Sequence, residues 1–196
     1  MIYTKDWAFV HVPKTSGTNL KTRALEKYKD SNYIQTENSD IIGEMMHNPY
    51  VYWKNILKDR WVFSIIRNPF SRAVSLWKYC NEKRPAFREN FGYHSFYEFY
   101  TNKELKVWKD KSWGVQTPQF YFLKDHKNKI TIDTFKIETD LNLLELKLGF
   151  EFTKSKHNSL EPYDYKKIYK DKKNISIIQE IFEIDFKIFK YDLSEI

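Results

Sequence analysis

Two short stretches of this chain combine cationic and hydroxyl side chains with a strand-to-helix pattern. In FVHVPKTSGTNL, residues 9–20, the apolar run from Phe9 to Val12 ends at Pro13, and helical spacing begins after Thr18. The residues at this junction are Lys14, Thr15, Ser16 and Gly17. A strand-to-helix junction presents backbone N–H groups and the positive end of a helix dipole, and a lysine adds a full charge. The expected ligand is a phosphate-like anion.

A structural alternative exists for the first stretch, because glycine and hydroxyl residues often cap helices without binding anything. That alternative stays open on these residues alone. An ordinary ATP or GTP site is disfavoured, since the pattern G-x-x-x-x-G-K-[ST] is not met. No loop glycine precedes Lys14, and the nearby Gly17 follows it.

The second stretch, FSIIRNPFSRAVSLW, repeats the order of strand, loop and helix. Trp61–Ile66 is a nearly continuous apolar run of strand-forming residues, which is typical of a buried parallel strand. Arg67 follows it, Asn68 can cap a helix, and Pro69 suits the first helical position. The apolar positions that share one helical face are Ala73, Leu76, Trp77 and Cys80.

The remaining pattern predicts an α/β fold in one domain over residues 1–196. Helices are expected at about residues 19–28, 41–46 and 50–57, within FGYHSFYEFY, in DLNLLELKLGF before Gly149, and as one closing helix in NISIIQEIFEIDFKIFKYD. A further strand is expected in TIDTFKIET. Such sheets bind ligands at the carboxyl ends of their strands.

Composition narrows the partners and the compartment. The formal net charge of +7 favours anionic partners. A basic nucleic-acid-binding module is one alternative, although the lysines are scattered along the chain. No window approaches a membrane span and no signal-peptide pattern opens the chain, so we expect a cytoplasmic protein. The single cysteine, Cys80, forms no internal disulfide, and no metal-binding pattern is present.

PKTSGTNL resembles the 5′-phosphosulfate loop of the PAPS-dependent sulfotransferases, above all the group that sulfates carbohydrate hydroxyls; PAPS is 3′-phosphoadenosine 5′-phosphosulfate. The second stretch resembles the family's 3′-phosphate site, with Arg67 and, eight positions later, Ser75. The resemblance implies that PAPS is the donor and PAP the product. It also implies that the donor's 5′-phosphate is held by Lys14, Thr15, Ser16, Gly17, Thr18 and Asn19.

The resemblance further implies a P-loop-like parallel β-sheet flanked by helices and in-line sulfuryl transfer to an acceptor hydroxyl, expected on a glycan. Lys14 would act on the leaving oxygen, no metal would be needed, and His47 would be the general base. His94 and Glu44 are competing bases.

A nucleoside or small-molecule kinase with a degenerate P-loop is the alternative enzyme. The sequence does not indicate an oligomeric state. The residues that could form an acceptor wall, or simply pack in the core, are Trp108, Trp113, Gln116, Gln119 and Tyr121.

Overall fold

The computed structural model describes residues 2–28, 49–55, 57, 59–92, 94–105, 116–152 and 165–193. The chain divides into two compact units. The first comprises Met1–Arg67 and Gln119–Glu161, and the second comprises Asn68–Pro118 and Pro162–Ile196. A single domain over residues 1–196 stays a prediction.

The first unit contains a four-stranded, mostly parallel sheet. Its strands, in both chain and spatial order, are β1 (Ile2–Tyr3), β2 (Trp7–Phe9), β3 (Trp61–Ile66) and β4 (Asp133–Lys136). β1 runs antiparallel to β2, whereas β2, β3 and β4 run parallel to one another. The predicted α/β class is confirmed, and so is the strand Trp61–Ile66.

Eight α-helices lie within the described residues. They are α1 (Gly17–Lys27), α2 (Pro69–Lys83), α3 (Pro85–Phe91), α4 (Phe96–Thr101), α5 (Gln119–Leu123), α6 (Leu141–Leu148), α7 (Lys172–Ile181) and α8 (Glu183–Phe189). Short 3-10 helices are formed by Tyr50–Tyr52, Lys103–Leu105 and Tyr165–Lys170. None of these helices is long and apolar enough to cross a membrane.

The two faces of the sheet are covered by different elements because successive strand residues point to opposite sides. Phe9 and Phe63 face one side, where Leu20 of α1 and Leu144 of α6 are packed with them in a buried cluster. Ala8 faces the other side and packs with residues of the segment that follows Tyr50–Tyr52, namely Trp53 and Leu57. Thus α1, which begins at the candidate anion loop, is anchored by apolar burial.

A lysine at the end of α1 fastens this helix to the end of α6. Lys27 Nζ donates to the carbonyls of Leu148 and Gly149, at 3.3 and 2.8 Å. Gly149 is in the left-handed region, with φ 67°, and ends α6 as the sequence predicted. A cation at the carboxyl end of a helix is favourable for the helix dipole as well as for the unpaired carbonyls.

A buried aspartate organises the turn that follows α5. The Asp125 carboxylate accepts hydrogen bonds from the backbone N–H groups of Lys127 and Lys129, at 2.9 and 3.0 Å, and from Lys54 Nζ at 3.2 Å. The backbone bond from Lys129 is the largest of the effects that hold the pKa of Asp125 below its usual value. The ionised carboxylate therefore stabilises this turn.

The second unit is built around α2, which starts as the sequence predicted. Asn68 is its N-cap, with the side chain accepting from Phe70 N at 2.9 Å, and Pro69 is the first helical residue. Buried tyrosine hydroxyls donate to carbonyls of this helix: Tyr169 to Phe70 O at 2.7 Å and Tyr100 to Ala73 O at 2.9 Å. Burial raises the pKa of both tyrosines.

Several helix predictions need correction. The closing helix is in fact two, α7 and α8, because Phe182 leaves helical geometry at φ −109° and ψ 21°. Its buried ring lies 5.6 Å from the Arg72 guanidinium. The expected helix over residues 50–57 is a 3-10 turn, Tyr50–Tyr52, and a further turn. The expected helix at 41–46 lies outside the described residues.

The strand expected from Phe9 to Val12 begins earlier, at Trp7, and ends at Phe9. Val10 still donates from its backbone N–H to Phe63 O, at 2.9 Å. The short helix expected within FGYHSFYEFY is α4. Its N-terminus is a capping box in which the Ser95 and Glu98 side chains each bond to the other's backbone N–H.

Candidate functional site

The loop between β2 and α1 has an unusual backbone. Lys14 and Ser16 have φ values of 68° and 69°, in the left-handed region that residues other than glycine rarely adopt. Gly17, next to Ser16, begins the right-handed α1. Alternation of left- and right-handed residues turns successive N–H groups toward one side and forms a concavity that suits anions. Such backbone conformations cluster at ligand sites.

Two sets of hydrogen bonds hold this loop in shape. Thr15, which is fully buried, donates from its hydroxyl to Val12 O at 2.9 Å. Ser16 O accepts from the N–H groups of Asn19 and Leu20, at 3.1 and 3.3 Å, which starts the helical ladder. Because the Thr15 hydroxyl proton is already used, the donor that Thr15 could offer to an anion is its backbone N–H.

A histidine packs directly under the start of α1. The imidazole of His11 is 5% exposed, stacks on Phe9 with 5.7 Å between ring centroids, and lies against Gly17. A Cβ on Gly17 would overlap the imidazole, since it would lie 2.7 Å from His11 Cγ and closer still to two other ring atoms. Gly17 is therefore required by its close packing against the His11 ring.

Arg67 emerges at the same edge of the sheet as the loop. β2 and β3 are parallel and Phe9 pairs with Phe63, so the residues after each strand leave at neighbouring positions. The Arg67 Nη1 atom donates to Lys14 O over 3.4 Å. The Arg67 backbone is held by Gln119: Arg67 N donates to Gln119 Oε1 at 2.9 Å, and Gln119 Nε2 donates to Arg67 O at 2.8 Å.

Comparison of the sequence with known protein families gives a match over most of the chain. A family model described as "Sulfotransferase family" matches residues 4–192, which include the loop and Arg67. The chain belongs to the sulfotransferase family. No curated protein and no solved structure matches it. The fold is thus that of a sulfotransferase, and the loop of residues 13–19 is the first place to seek its donor site.

Of the site residues predicted from sequence, this sulfotransferase brings Lys14, Thr15, Ser16, Gly17, Thr18 and Asn19 together with Arg67 in its first unit. Ser75 lies on α2, in the second unit, and is half-buried. His47 and Glu44 lie outside the described residues, as do Trp108 and Trp113. The roles given to these residues stay predictions.

His94, the competing base that the structure describes, is anchored through its main chain. Its carbonyl accepts from Trp77 Nε1 at 2.8 Å, and its N–H donates to Asn81 Oδ1 at 3.2 Å. The ring atom Nε2 is buried and has no hydrogen-bond partner within the described residues. His94 thus joins α2 to the start of α4 through its backbone, independently of any chemistry at its ring.

The two glutamines considered for an acceptor wall are both used inside this sulfotransferase. Gln116 Nε2 donates to Tyr100 O at 2.8 Å, and the Gln119 amide bonds to the Arg67 backbone. Tyr121 is 45% exposed. The contact between Gln119 and Arg67 is a feature of the site that sequence reasoning missed, because no local pattern relates residues 52 positions apart.

Proposed function

We propose that this sulfotransferase moves a sulfuryl group from PAPS to a hydroxyl of a carbohydrate acceptor. The observation that carries the proposal is the loop backbone, in which left-handed Lys14 and Ser16 precede the N-terminus of α1. Backbone N–H groups at a helix N-terminus suit a phosphate group. Arg67 adds a guanidinium at the same sheet edge. These hydrogen-bond donors and positive charges suit a ligand that carries two phosphate groups.

The loop would hold the 5′-phosphosulfate of the donor. Its N–H groups and the Lys14 ammonium supply the positive potential, and the Thr15 hydroxyl keeps the loop in shape by donating to Val12 O. Ser16 is half-buried and Thr18 is exposed. Asn19 Nδ2 donates to Ser16 Oγ at 3.4 Å and supports that hydroxyl from the next turn.

Arg67 would bind the 3′-phosphate, with Ser75 adding a hydroxyl donor. A planar guanidinium donates two parallel hydrogen bonds to a phosphate, which a lysine ammonium cannot do. Arg67 is half-buried, so a phosphate contact there would be partly shielded from solvent.

When bound, PAPS supplies the sulfuryl group and the phosphate oxygen from which that group departs. The task of Lys14 Nζ is to neutralise charge on that oxygen, and the task of the loop N–H groups is to orient the phosphate. His47 would accept the proton of the acceptor hydroxyl at a ring nitrogen. Glu44 and His94 are the alternative proton acceptors.

The donor assignment is tested by PAP binding and by turnover in two variants. Lys14 would meet charge that develops during transfer, so Lys14→Ala should lower kcat by about 10²- to 10³-fold with a smaller effect on PAP affinity. Arg67 would meet a phosphate that the reaction leaves unchanged, so Arg67→Ala should weaken PAP binding by about 10- to 100-fold. Lys5→Ala and Arg88→Ala, at exposed positions, are the controls.

PAP should raise the melting temperature of the wild-type protein without magnesium. Stabilisation by ATP with Mg²⁺ but none by PAP would overturn the donor assignment and favour the kinase alternative. Equal, small effects of Lys14→Ala and Arg67→Ala on both parameters would also contradict it.

The base assignment is tested by the pH dependence of turnover. His47→Ala should lower kcat by roughly 10²-fold or more, leave PAP affinity nearly unchanged, and remove the acidic limb of the pH–rate profile. His94→Ala and Glu44→Gln are the parallel variants. Near-normal turnover in His47→Ala together with loss of turnover in one of the others would move the role to that residue.

The acceptor class is tested with labelled PAPS and a panel of hydroxyl compounds that includes oligosaccharides, phenols and simple alcohols. Transfer to oligosaccharides above the background of the other two classes is expected. Preferential transfer to a phenol or an alcohol would refute the carbohydrate assignment and leave the donor assignment intact.

A further inference from the structure

We propose that Gln119 is a positioning residue that sets the direction of the Arg67 side chain toward the donor's 3′-phosphate. The inference rests on the proposed function, because that function gives Arg67 its ligand. Gln119 is fully buried, and both ends of its amide bond to one residue. Its Oε1 accepts from Arg67 N at 2.9 Å, and its Nε2 donates to Arg67 O at 2.8 Å.

These two bonds replace the support that the sheet no longer gives at Arg67. The pairing of β3 with β4 ends at Ile66, whose carbonyl still accepts from Ile137 N at 2.8 Å. One residue further, the primary amide of Gln119 bonds to both backbone groups of Arg67, as a neighbouring strand would. The backbone of Arg67 is thereby fixed, and with it the direction of the Cα–Cβ bond.

Fixing the backbone matters because the guanidinium must reach one particular place. Arg67 Nη1 lies 3.4 Å from Lys14 O, which puts the side chain beside the anion loop. A long arginine side chain has many rotamers, and a fixed direction of the Cα–Cβ bond limits the positions in which those rotamers can place the guanidinium. Loss of the Gln119 amide would also leave the Arg67 N–H and C=O without these partners.

The chemistry required at position 119 is specific. The head group must accept one hydrogen bond and donate another from a planar end, which glutamine does. A protonated glutamate does the same through its carbonyl and its O–H group. An ionised glutamate has acceptors only, and methionine has a similar length with neither a strong donor nor a strong acceptor.

The first experiment compares Gln119→Met with Gln116→Met, a matched variant. Gln116 is also buried and also donates to backbone carbonyls, but its partner at 2.8 Å is Tyr100 rather than Arg67. Gln119→Met should weaken PAP binding by about 10- to 100-fold, which is the loss that follows removal of a group orienting a metal ligand and which we expect here for the same reason. Gln116→Met should leave PAP affinity within about threefold of wild type, whatever it does to stability.

Two further measurements separate positioning from general destabilisation. In an Arg67→Ala background, Gln119→Met should cause no additional loss of PAP affinity, because the side chain that it positions is gone. Hydrogen exchange at the Arg67 amide, measured without ligand, should be faster in Gln119→Met than in wild type and unchanged in Gln116→Met.

Gln119→Glu tests whether protonation of the introduced carboxyl restores PAP affinity. At low pH the neutral carboxyl should restore both hydrogen bonds to the Arg67 backbone. The ratio of the variant's PAP affinity to that of wild type, measured at the same pH, should then approach one. As the pH rises, the carboxyl ionises and can no longer donate a hydrogen bond to Arg67 O. The PAP affinity of Gln119→Glu relative to wild type should then fall. Gln119→Met should show no such pH dependence relative to wild type.

The outcomes distinguish this inference from the proposed function. A wild-type protein that does not bind PAP would overturn the proposed function, while exchange at the Arg67 amide would still test the anchoring by Gln119. Near-wild-type PAP affinity in a folded Gln119→Met variant, when Arg67→Ala binds weakly, would overturn the positioning role. So would an unchanged exchange rate at the Arg67 amide, or an additive loss in the double variant.

Discussion

The substitution Gly17→Ala sets two effects of opposite sign against each other. Gly17 is the first residue of α1, and alanine forms helices better than glycine by up to about 1 kcal/mol. Against this, the added Cβ would lie 2.7 Å from His11 Cγ. Non-bonded carbon atoms are most stable at about 3.5–4.0 Å, so the ring or the helix would have to shift by roughly 1 Å or more.

The packing of His11 decides which effect is larger. The imidazole is 5% exposed and stacks on Phe9, which is itself fully buried, so it cannot turn into solvent to make room. Overpacking of a buried site costs about 1–3 kcal/mol, which exceeds the gain in helix propensity. We expect Gly17→Ala to lower the free energy of unfolding by about 1–2 kcal/mol, or the Tm by roughly 2–8 °C for a chain of this length.

Urea and thermal unfolding of four proteins provide the test: wild type, Gly17→Ala, His11→Ala and the double variant. When the imidazole is absent, Gly17→Ala should be neutral or stabilising, and the coupling energy of the cycle should be about 1 kcal/mol or more. A Gly17→Ala protein as stable as wild type would refute the reasoning. An equal penalty with and without the imidazole would show that the contact is not its cause.

Two further predictions concern the stability of the first unit. Lys27→Met should lower the free energy of unfolding by about 1 kcal/mol in urea, because the carbonyls of Leu148 and Gly149 lose their cationic donor; the exposed Lys5→Met is the control, and an equal effect there would contradict the assignment. The lowered pKa of Asp125 means that its ionised form stabilises the fold above about pH 4, and that this contribution is lost as the pH falls through the folded-state pKa. Asp125→Asn should therefore reduce the fall in the free energy of unfolding that occurs as the pH becomes acidic. An unchanged pH dependence in this variant would rule out the Asp125 carboxyl as one of its sources.

Local signals predicted the elements around the site well. The start of α2 follows from Asn68 and Pro69, whose side chains have well-defined preferences at a helix N-terminus. β3 was predicted at its observed bounds because a continuous apolar run is needed when both faces of a strand are covered. In these cases the information lies within a few residues of the element that it specifies.

The finer features of the site depend on contacts between distant residues. Left-handed Lys14 and Ser16 run against the preference of their residue types, so a local pattern favours the wrong backbone there. α7 ends where the Phe182 ring is buried beside the guanidinium of Arg72, a residue far away in the sequence. Helical periodicity continues through that position, and for this reason it predicted one helix where there are two.

The interleaving of the two units affects the order in which the chain can fold during synthesis. The first unit needs β4, whose Asp133 pairs with Phe63, and the second unit needs Tyr169 to donate to Phe70 O. A nascent chain ending at residue 118 therefore holds the first segment of each unit and the whole of neither. Domains usually fold in order as they leave the ribosome. Here the apolar faces of β3 and α2 stay uncovered until residues made much later have emerged. This lengthens the time during which chaperones can bind these faces or the nascent chain can aggregate.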